Sequence, residues 1–167
     1  LKYFNIKKNK KKFSLNKWQN IVNNYNSPSK FITIAIVGKY INLEDSYKSL
    51  VEAITHGGLA NNTKVNIKWI NAEDFEKNNN NKIFDDINGI LVPGGFGERG
   101  IEGKIASIKF ARQNNIPFFG ICLGMQLAVI EISRNVLKLK DSNSTEFGKT
   151  SNPVICLMTE WKKNNVK

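Results

Sequence analysis

The stretch Ile116-Pro117-Phe118-Phe119-Gly120-Ile121-Cys122-Leu123-Gly124 joins an apolar run to a helix-like segment through a turn that holds one cysteine between two glycines. A strand that passes sharply into a helix, with a reactive side chain at the turn, has the form of a nucleophile elbow. The glycines let backbone pass close on both sides of a strained turn, and the N-terminus of the following helix favours negative charge on the sulfur. The pattern predicts Cys122 as a thiolate nucleophile. A buried, unreactive cysteine is the competing interpretation.

Strand-like and helix-like segments alternate on both sides of this stretch. We predict strands at 31–37, 65–70, 89–92 and 116–121, and helices at 45–55, 101–113 and 124–137. We expect His56-Gly57-Gly58 to end the first of these helices, and an Asn-rich loop to follow the second strand. The alternation predicts an α/β fold with an open, mostly parallel sheet and helices on both faces.

Two glycine-rich turns follow predicted strands: Pro93-Gly94-Gly95-Phe96-Gly97 and the cysteine elbow. Ligands of open α/β sheets gather at the carboxyl ends of the strands, so the two turns are predicted to form one site. The first turn, taken alone, is more typical of an ordinary tight turn.

Composition and charge limit the remaining possibilities. The chain has 167 residues, 41% of them hydrophobic, which suffices for one core. We interpret residues 1–30 as a connector with one short helix around 18–25, and residues 31–167 as a partial catalytic domain. The formal charge of +11 and the basic run at 7–12 allow a nucleic-acid tether, but no aromatic side chains alternate with the lysines, which favours a solvated linker. No apolar run is long enough to span a membrane, and two cysteines are too few for a disulfide framework.

Acyl transfer through a thiolate needs oxyanion donors and a base. The N–H of Leu123 and the Gly94-Gly95 turn are the candidate donors. His56 is the only histidine of the chain, and its place beside two glycines at a predicted helix end favours a capping or surface role. The histidine and the cysteines lack the spacing of metal ligands, so we predict no metal site.

Several segments together resemble one protein family. They are Val37-Gly38-Lys39-Tyr40, Tyr47-Lys48-Ser49, the run from Gly89 to Lys104, the run from Gly120 to Gln126, and Asn143-Ser144-Thr145-Glu146-Phe147. In this order, from about residue 34 to 161, they resemble the glutaminase domains of the CTP synthase family, which are class I glutamine amidotransferases.

The resemblance implies roles for individual residues. Cys122 would attack the side-chain amide of glutamine, with Gly95 and Leu123 as oxyanion donors. The substrate-binding positions would be Gly95, Leu123, Gly124, Met125, Gln126 and Glu146, with the carboxylate of Glu146 on the α-ammonium group; an exposed loop acid is the other interpretation of Glu146. Phe96, Arg99, Gly100 and Glu102 match the region that the family associates with GTP activation and with the interface to the synthase domain.

The resemblance also implies parts that this sequence lacks. The family's catalytic His and Glu lie in a later segment, so the chain alone is expected to be inactive. The amidoligase domain, which uses ATP and Mg²⁺ to aminate UTP to CTP and makes the homotetramer, would precede the connector. We therefore expect a cytoplasmic ligase of pyrimidine biosynthesis in the full protein. The alternative is a catalytically incomplete remnant that binds or scaffolds a partner.

Overall fold

The computed structural model of the chain describes residues 3–4, 14–39, 44–78 and 80–157. The basic run at 7–12, proposed above as a linker or a tether, lies outside the described residues, as does everything after residue 157.

Among the described residues, four parallel strands form the main sheet. They are β1 (Lys30–Gly38), β2 (Thr63–Asn71), β3 (Gly89–Val92) and β4 (Phe118–Gly120), in the spatial order β2-β1-β3-β4. Ile34 of β1 pairs with Gly89 of β3, and Leu91 of β3 pairs with Phe119 of β4. The carboxyl half of β1 is buried, whereas Lys30 and Phe31 at its start are exposed. The fold is the α/β class with the parallel sheet that the sequence predicts.

In the described parts of the chain, five α-helices accompany the strands: α1 (Asn16–Asn26), α2 (Lys48–Ala60), α3 (Ala72–Asn78), α4 (Ile101–Gln113) and α5 (Leu123–Asn135). The crossover through α2 moves one way along the sheet and the crossover through α4 moves the other way, so right-handed connections place these helices on opposite faces. Helix α4 has the bounds that the sequence predicts. Helix α5 begins one residue earlier and ends two residues earlier than predicted.

The predicted end of α2 at His56-Gly57-Gly58 is wrong, because the helix runs through all three residues to Ala60. A Cβ on Gly58 would lie 2.5 Å from the carbonyl oxygen of Thr63. Gly58 is therefore needed for the close approach of α2 to β2, not for a helix stop. His56 is exposed inside the helix, so its predicted position at a helix end is wrong as well.

The expected Asn-rich loop after β2 contains α3 and a 3₁₀ turn at Asn81–Phe84. Two aromatic residues hold this segment to the domain: Phe75 and Phe84 are buried, with ring centroids 5.0 Å apart, and Phe84 stacks on Phe110 of α4 at 4.7 Å. Glu73 and Asp74 in the first turn of α3 suit its N-terminus. Burial of aromatic surface thus orders a segment whose composition suggests a loop.

Helices α4 and α5 pack on one face of the sheet over an aliphatic core that includes Val92, Ile105 and Leu127. Ion pairs join the two helices, and the more buried pair is that of Arg112 and Glu131, in which the guanidinium makes three hydrogen bonds of 2.8–3.2 Å to the carboxylate. Glu131 is fully buried, whereas the side chain of Arg112 is 38% exposed. The hydrogen bonds that Arg112 donates to the Glu131 carboxylate raise the pKa of Arg112.

After α5 the chain forms a small parallel ladder of β5 (Ser142–Ser144) and β6 (Asn152–Ile155), where the sequence pattern indicates no regular structure. The carboxylate of Asp141 closes the connection by accepting hydrogen bonds from the N–H and hydroxyl of Ser151. These bonds hold the pKa of Asp141 below its ordinary value. Across the described parts of the chain, no helix has the length and apolarity needed to cross a membrane.

Candidate active site

Cys122 lies at the turn between β4 and α5, in a backbone conformation that L-residues rarely adopt. Its φ is 50° and its ψ is −106°, and it is the residue that immediately precedes α5. The turn is fixed by hydrogen bonds on both sides: the N–H of Ile121 donates to the carbonyl of Val92 at 3.0 Å, and the N–H of Gly124 donates to Ile121 at 2.9 Å. The side chain is exposed. This is the strained, outward-facing geometry of a nucleophile elbow.

The glycines on either side of Cys122 have no room for a side chain. A Cβ on Gly124 would lie 2.1 Å from the carbonyl oxygen of Val92, and a Cβ on Gly120 would lie 2.5 Å from the carbonyl carbon of Gly124. The start of α5 therefore rests directly on the backbone of β3 and β4, and this contact fixes where the cysteine points.

The two glycine turns meet, as the sequence predicts. A Cβ on Gly94 would be 3.5 Å from the Cβ of Cys122, and one on Gly95 would be 3.5 Å from the Cδ2 of Leu123. As the first residue of α5, Leu123 has an N–H for which the helix itself supplies no acceptor. The backbones of Gly95 and Leu123 thus flank Cys122 from two different loops.

Glu146 reaches the same edge from the segment after β5. Its Oε1 accepts a hydrogen bond from the N–H of Gly97 at 3.3 Å, and its own N–H donates to the Oγ of Ser144 at 3.1 Å. Met125 in the first turn of α5 is exposed and Gln126 is half-buried. The structure therefore brings Glu146 to the glycine turn, which is separated from it by 49 residues in sequence.

A cavity of about 130 Å³ adjoins the glycine turn. It is lined by Lys39, Ser46, Tyr47, Lys104 and the turn residues Pro93, Gly94, Gly95 and Phe96. The ammonium of Lys39 donates to the carbonyl oxygen of Phe96 at 3.5 Å. Lys104 is only 4% exposed, and burial together with the nearby charge of Lys39 lowers its pKa, against a smaller opposite effect of Glu73.

The residues matched to GTP activation differ in their surroundings. Phe96 is 84% exposed. Arg99 pairs with Glu73 at 3.1 Å, and Glu102 pairs with Arg134 at 2.8 Å.

Gly100, the remaining member of that set, immediately precedes α4 and has a φ of 69°. A Cβ there would also lie 3.0 Å from the Cβ of Ala72, so the position has a structural requirement of its own.

His56 does not join the site. It lies in the second half of α2, which runs towards the amino end of β2. Cys122, in contrast, follows the carboxyl end of β4, at the other end of the strands. Among the described residues, no three His, Cys, Asp or Glu side chains are grouped so that they could hold a metal ion.

Sequence reasoning missed Lys104, which is the buried cation closest in sequence to the glycine turn. The helical spacing could have predicted the burial of Lys104, because Lys104 lies on the same face of α4 as the buried residues Ile101, Ile105, Ile108 and Ala111. It also missed Glu73 and Arg134, the ion-pair partners of Arg99 and Glu102, because these contacts join segments far apart in sequence.

Comparison with known proteins agrees with this geometry. Residues 42–156 match the family model described as glutamine amidotransferase class-I. A CTP synthase of Methylorubrum populi is 56% identical over 151 residues, covering 90% of this chain and 28% of the relative, and a CTP synthase of Parvibaculum lavamentivorans is 54% identical over 165 residues. The chain thus spans less than a third of the length of these curated relatives.

A solved structure is similar as well. The glutaminase domain of CTPS from Trypanosoma brucei, with bound acivicin, superposes with a TM-score of 0.71 at 41% sequence identity, over 77% of this chain and 50% of that one. Because the family model covers more than half of the chain, and the fold and the elbow agree with it, the chain belongs to the class I glutamine amidotransferases and resembles the glutaminase domain of CTP synthases.

Proposed function

We propose that Cys122 of this chain is the nucleophile that cleaves the side-chain amide of glutamine. The observation that carries the proposal is the strained conformation of Cys122, at φ 50° between β4 and α5, with the Gly94-Gly95 turn in van der Waals range of the elbow. Membership in the class I glutamine amidotransferases supports glutamine as the substrate.

In the first half of the reaction, the thiolate of Cys122 adds to the amide carbon of glutamine. An S–C bond forms, and the electron pair of the C=O double bond moves onto oxygen. The N–H groups of Gly95 and Leu123 would donate to this oxyanion, and a donor of this kind contributes about 3–4 kcal/mol to the transition state. When the intermediate collapses, the C–N bond breaks and the nitrogen leaves as ammonia after gaining a proton.

In the second half, water adds to the glutamyl thioester that remains on Cys122. The C–S bond then breaks, the sulfur leaves as the thiolate with which the cycle began, and glutamate is released; the protons of the added water go to the ammonia and the new carboxyl group. The sum is glutamine plus water giving glutamate plus ammonia, with no redox change.

We assign the binding of the amino-acid end of glutamine to Glu146, with Gly124, Met125 and Gln126 beside the reacting end. A carboxylate suits the α-ammonium of the substrate by charge, and Glu146 is exposed at the edge that carries Cys122. Its hydrogen bond from the N–H of Gly97 keeps the carboxylate against the glycine turn.

The proton transfers of the cycle have no histidine near Cys122 within the described residues, since the only histidine of the sequence is His56 on α2. We therefore expect this chain alone to be inactive in the turnover of glutamine. Capture of an electrophilic glutamine analogue needs only the thiolate and the donors, so we expect it to proceed.

We propose that, in a full-length protein like these relatives, the ammonia aminates UTP to CTP on an amidoligase domain that uses ATP and Mg²⁺. We expect that protein to be a homotetramer and to act in the cytoplasm. The support is the similarity to CTP synthases, of which this chain spans about 28%. GTP would act as an activator at Phe96, Arg99, Gly100 and Glu102. Phe96 has the exposed ring that stacking on a base requires, whereas Arg99 and Glu102 would first have to leave their ion pairs.

The proposal is tested by exposing the protein to a chloromethyl-ketone analogue of glutamine and mapping the adduct by peptide mass spectrometry. Cys122 should be labelled by displacement of chloride, and Cys156, also exposed, should stay free. The Cys122→Ala variant should take up no label. Labelling of both cysteines at equal rates would contradict the proposal and would favour the alternative, a binding or scaffolding module.

A further inference from the structure

The Phe96–Gly97 peptide is held from two sides by opposite charges. Its carbonyl oxygen accepts from the ammonium of Lys39 at 3.5 Å, and its N–H donates to the carboxylate of Glu146 at 3.3 Å. The C=O and N–H of a trans peptide point in opposite directions. A cation on the cavity side of the turn therefore directs the amide hydrogen to the side where Glu146 lies.

A second ammonium faces the same cavity. Lys104 is 4% exposed and lines the cavity together with Gly94 and Gly95. Within residues 14–39, 44–78 and 80–157, its side chain makes no hydrogen bond or ion pair. Burial and the nearby ammonium of Lys39 disfavour its charge, whereas the carboxylate of Glu73 and the oxygen dipoles of the cavity lining favour it.

The polar groups that line the cavity with the lysines are the peptide groups of the turn and the hydroxyls of Ser46 and Tyr47. We propose that Lys39 and Lys104 are positioning residues that attract the carbonyl oxygens of the Gly94–Gly97 turn to the cavity side and thereby direct its N–H groups towards Cys122. The inference rests on the proposed function, because it assigns a purpose to the orientation of the Gly95 N–H. Neither lysine needs to touch the substrate.

The Lys104 ammonium can lose its charge at a pH where an exposed lysine keeps it. Burial and the ammonium of Lys39 lower its pKa from 10.5, and the carboxylate of Glu73 opposes them. Tyr47 is the other titratable group that lines the cavity. As pH rises through the lowered pKa, Lys104 becomes neutral and its attraction for the turn carbonyls weakens.

The test compares two reagents at Cys122. Iodoacetamide reports only the thiolate, whereas the chloromethyl-ketone analogue of glutamine also places a carbonyl oxygen at the donors of the turn. The second-order rate constant for the chloromethyl ketone divided by that for iodoacetamide therefore reports the contribution of the turn separately from the reactivity of the thiolate. In Lys104→Met the ratio should fall about tenfold with the iodoacetamide rate within about twofold of wild type, since a misdirected donor costs one to two orders of magnitude.

Lys109→Met is the matched control, because Lys109 is exposed on the same helix, and its ratio should equal that of wild type. The wild-type ratio should also decline with rising pH below 10.5, the ordinary lysine value, and this decline should be absent from Lys104→Met. A lysine that merely fills space would not produce that pH profile.

If Lys104→Met does not fold, Lys39→Met is the variant to test, because Lys39 follows β1 and contacts the turn without being part of α4. Its rate-constant ratio should also fall. Unchanged ratios in the folded variants would overturn the inference while leaving the proposed function intact. A wild-type protein that reacts with iodoacetamide but not with the chloromethyl ketone would overturn both.

Discussion

Replacing Gly124 by alanine should destabilise the protein, although alanine is the better helix former. The new Cβ would lie 2.1 Å from the carbonyl oxygen of Val92, and ordinary contact begins at 3.4 Å, so the start of α5 and β3 would have to separate by about 1.3 Å. Overpacking costs about 1–3 kcal/mol, and the obstacle here is a backbone carbonyl of an inner strand, which places the cost at the upper end. The gain in helix propensity is at most about 1 kcal/mol.

The net expectation is a loss of about 2 kcal/mol in the free energy of unfolding, or about 4–8 °C in Tm. Gly57→Ala is the control, because Gly57 also lies in a helix and a Cβ there meets no atom within 4 Å. It should gain up to about 1 kcal/mol. Urea unfolding followed by circular dichroism measures both changes, and a Gly124→Ala variant as stable as Gly57→Ala would refute the close packing of the elbow on β3.

Three further outcomes are expected. Cys122 should react with iodoacetamide at neutral pH about tenfold faster than Cys156 or more, because only Cys122 lies at a helix N-terminus; equal rates by peptide mapping would count against the elbow. Glu131→Gln should lower the free energy of unfolding, measured in urea, by about 2–3 kcal/mol, because it removes the charge of a fully buried carboxylate that pairs with the guanidinium of Arg112. A loss under about 0.5 kcal/mol would contradict a stabilising role of this ion pair. The pKa of Asp141 in the folded protein lies below 3.8, so the ionised carboxylate stabilises the fold above pH 3.8, and this stabilisation is lost as the pH falls through the folded-state pKa. The fall of Tm with decreasing pH should therefore be less steep in Asp141→Asn than in wild type. Identical slopes in the two proteins would contradict this.

The sheet could be predicted from the sequence because β1 and β3 are nearly continuous apolar runs that end at glycine-rich or polar turns, and because strand-like and helix-like segments alternate along the chain. The 89–92 strand and α4 match their predicted bounds. The predictions failed where tertiary contacts override local composition. The local pattern predicts a helix stop at Gly58, but its lack of a side chain serves the packing of α2 on β2. The Asn-rich segment folds because Phe75 packs on Phe84, which stacks on Phe110 of α4.

The same division applies to the candidate site. Cys122 and the glycine turn are local motifs, and strand order alone brings them to one edge. The hydrogen bond between Gly97 and Glu146 joins residues 49 positions apart, and the burial of Lys104 depends on how α4 rests on the sheet. No local pattern contains those contacts, so only the folded chain reveals them.

The central proposal is that glutamine binds at Cys122. The most direct measurement is the rate at which iodoacetamide alkylates Cys122 as glutamine is added, with Cys156 in the same sample as the internal reference and asparagine as the control ligand. We predict saturable protection of Cys122 by glutamine alone, with the rate at Cys156 unchanged. A Cys122 rate that does not respond to glutamine, or that falls equally with asparagine, would contradict the account.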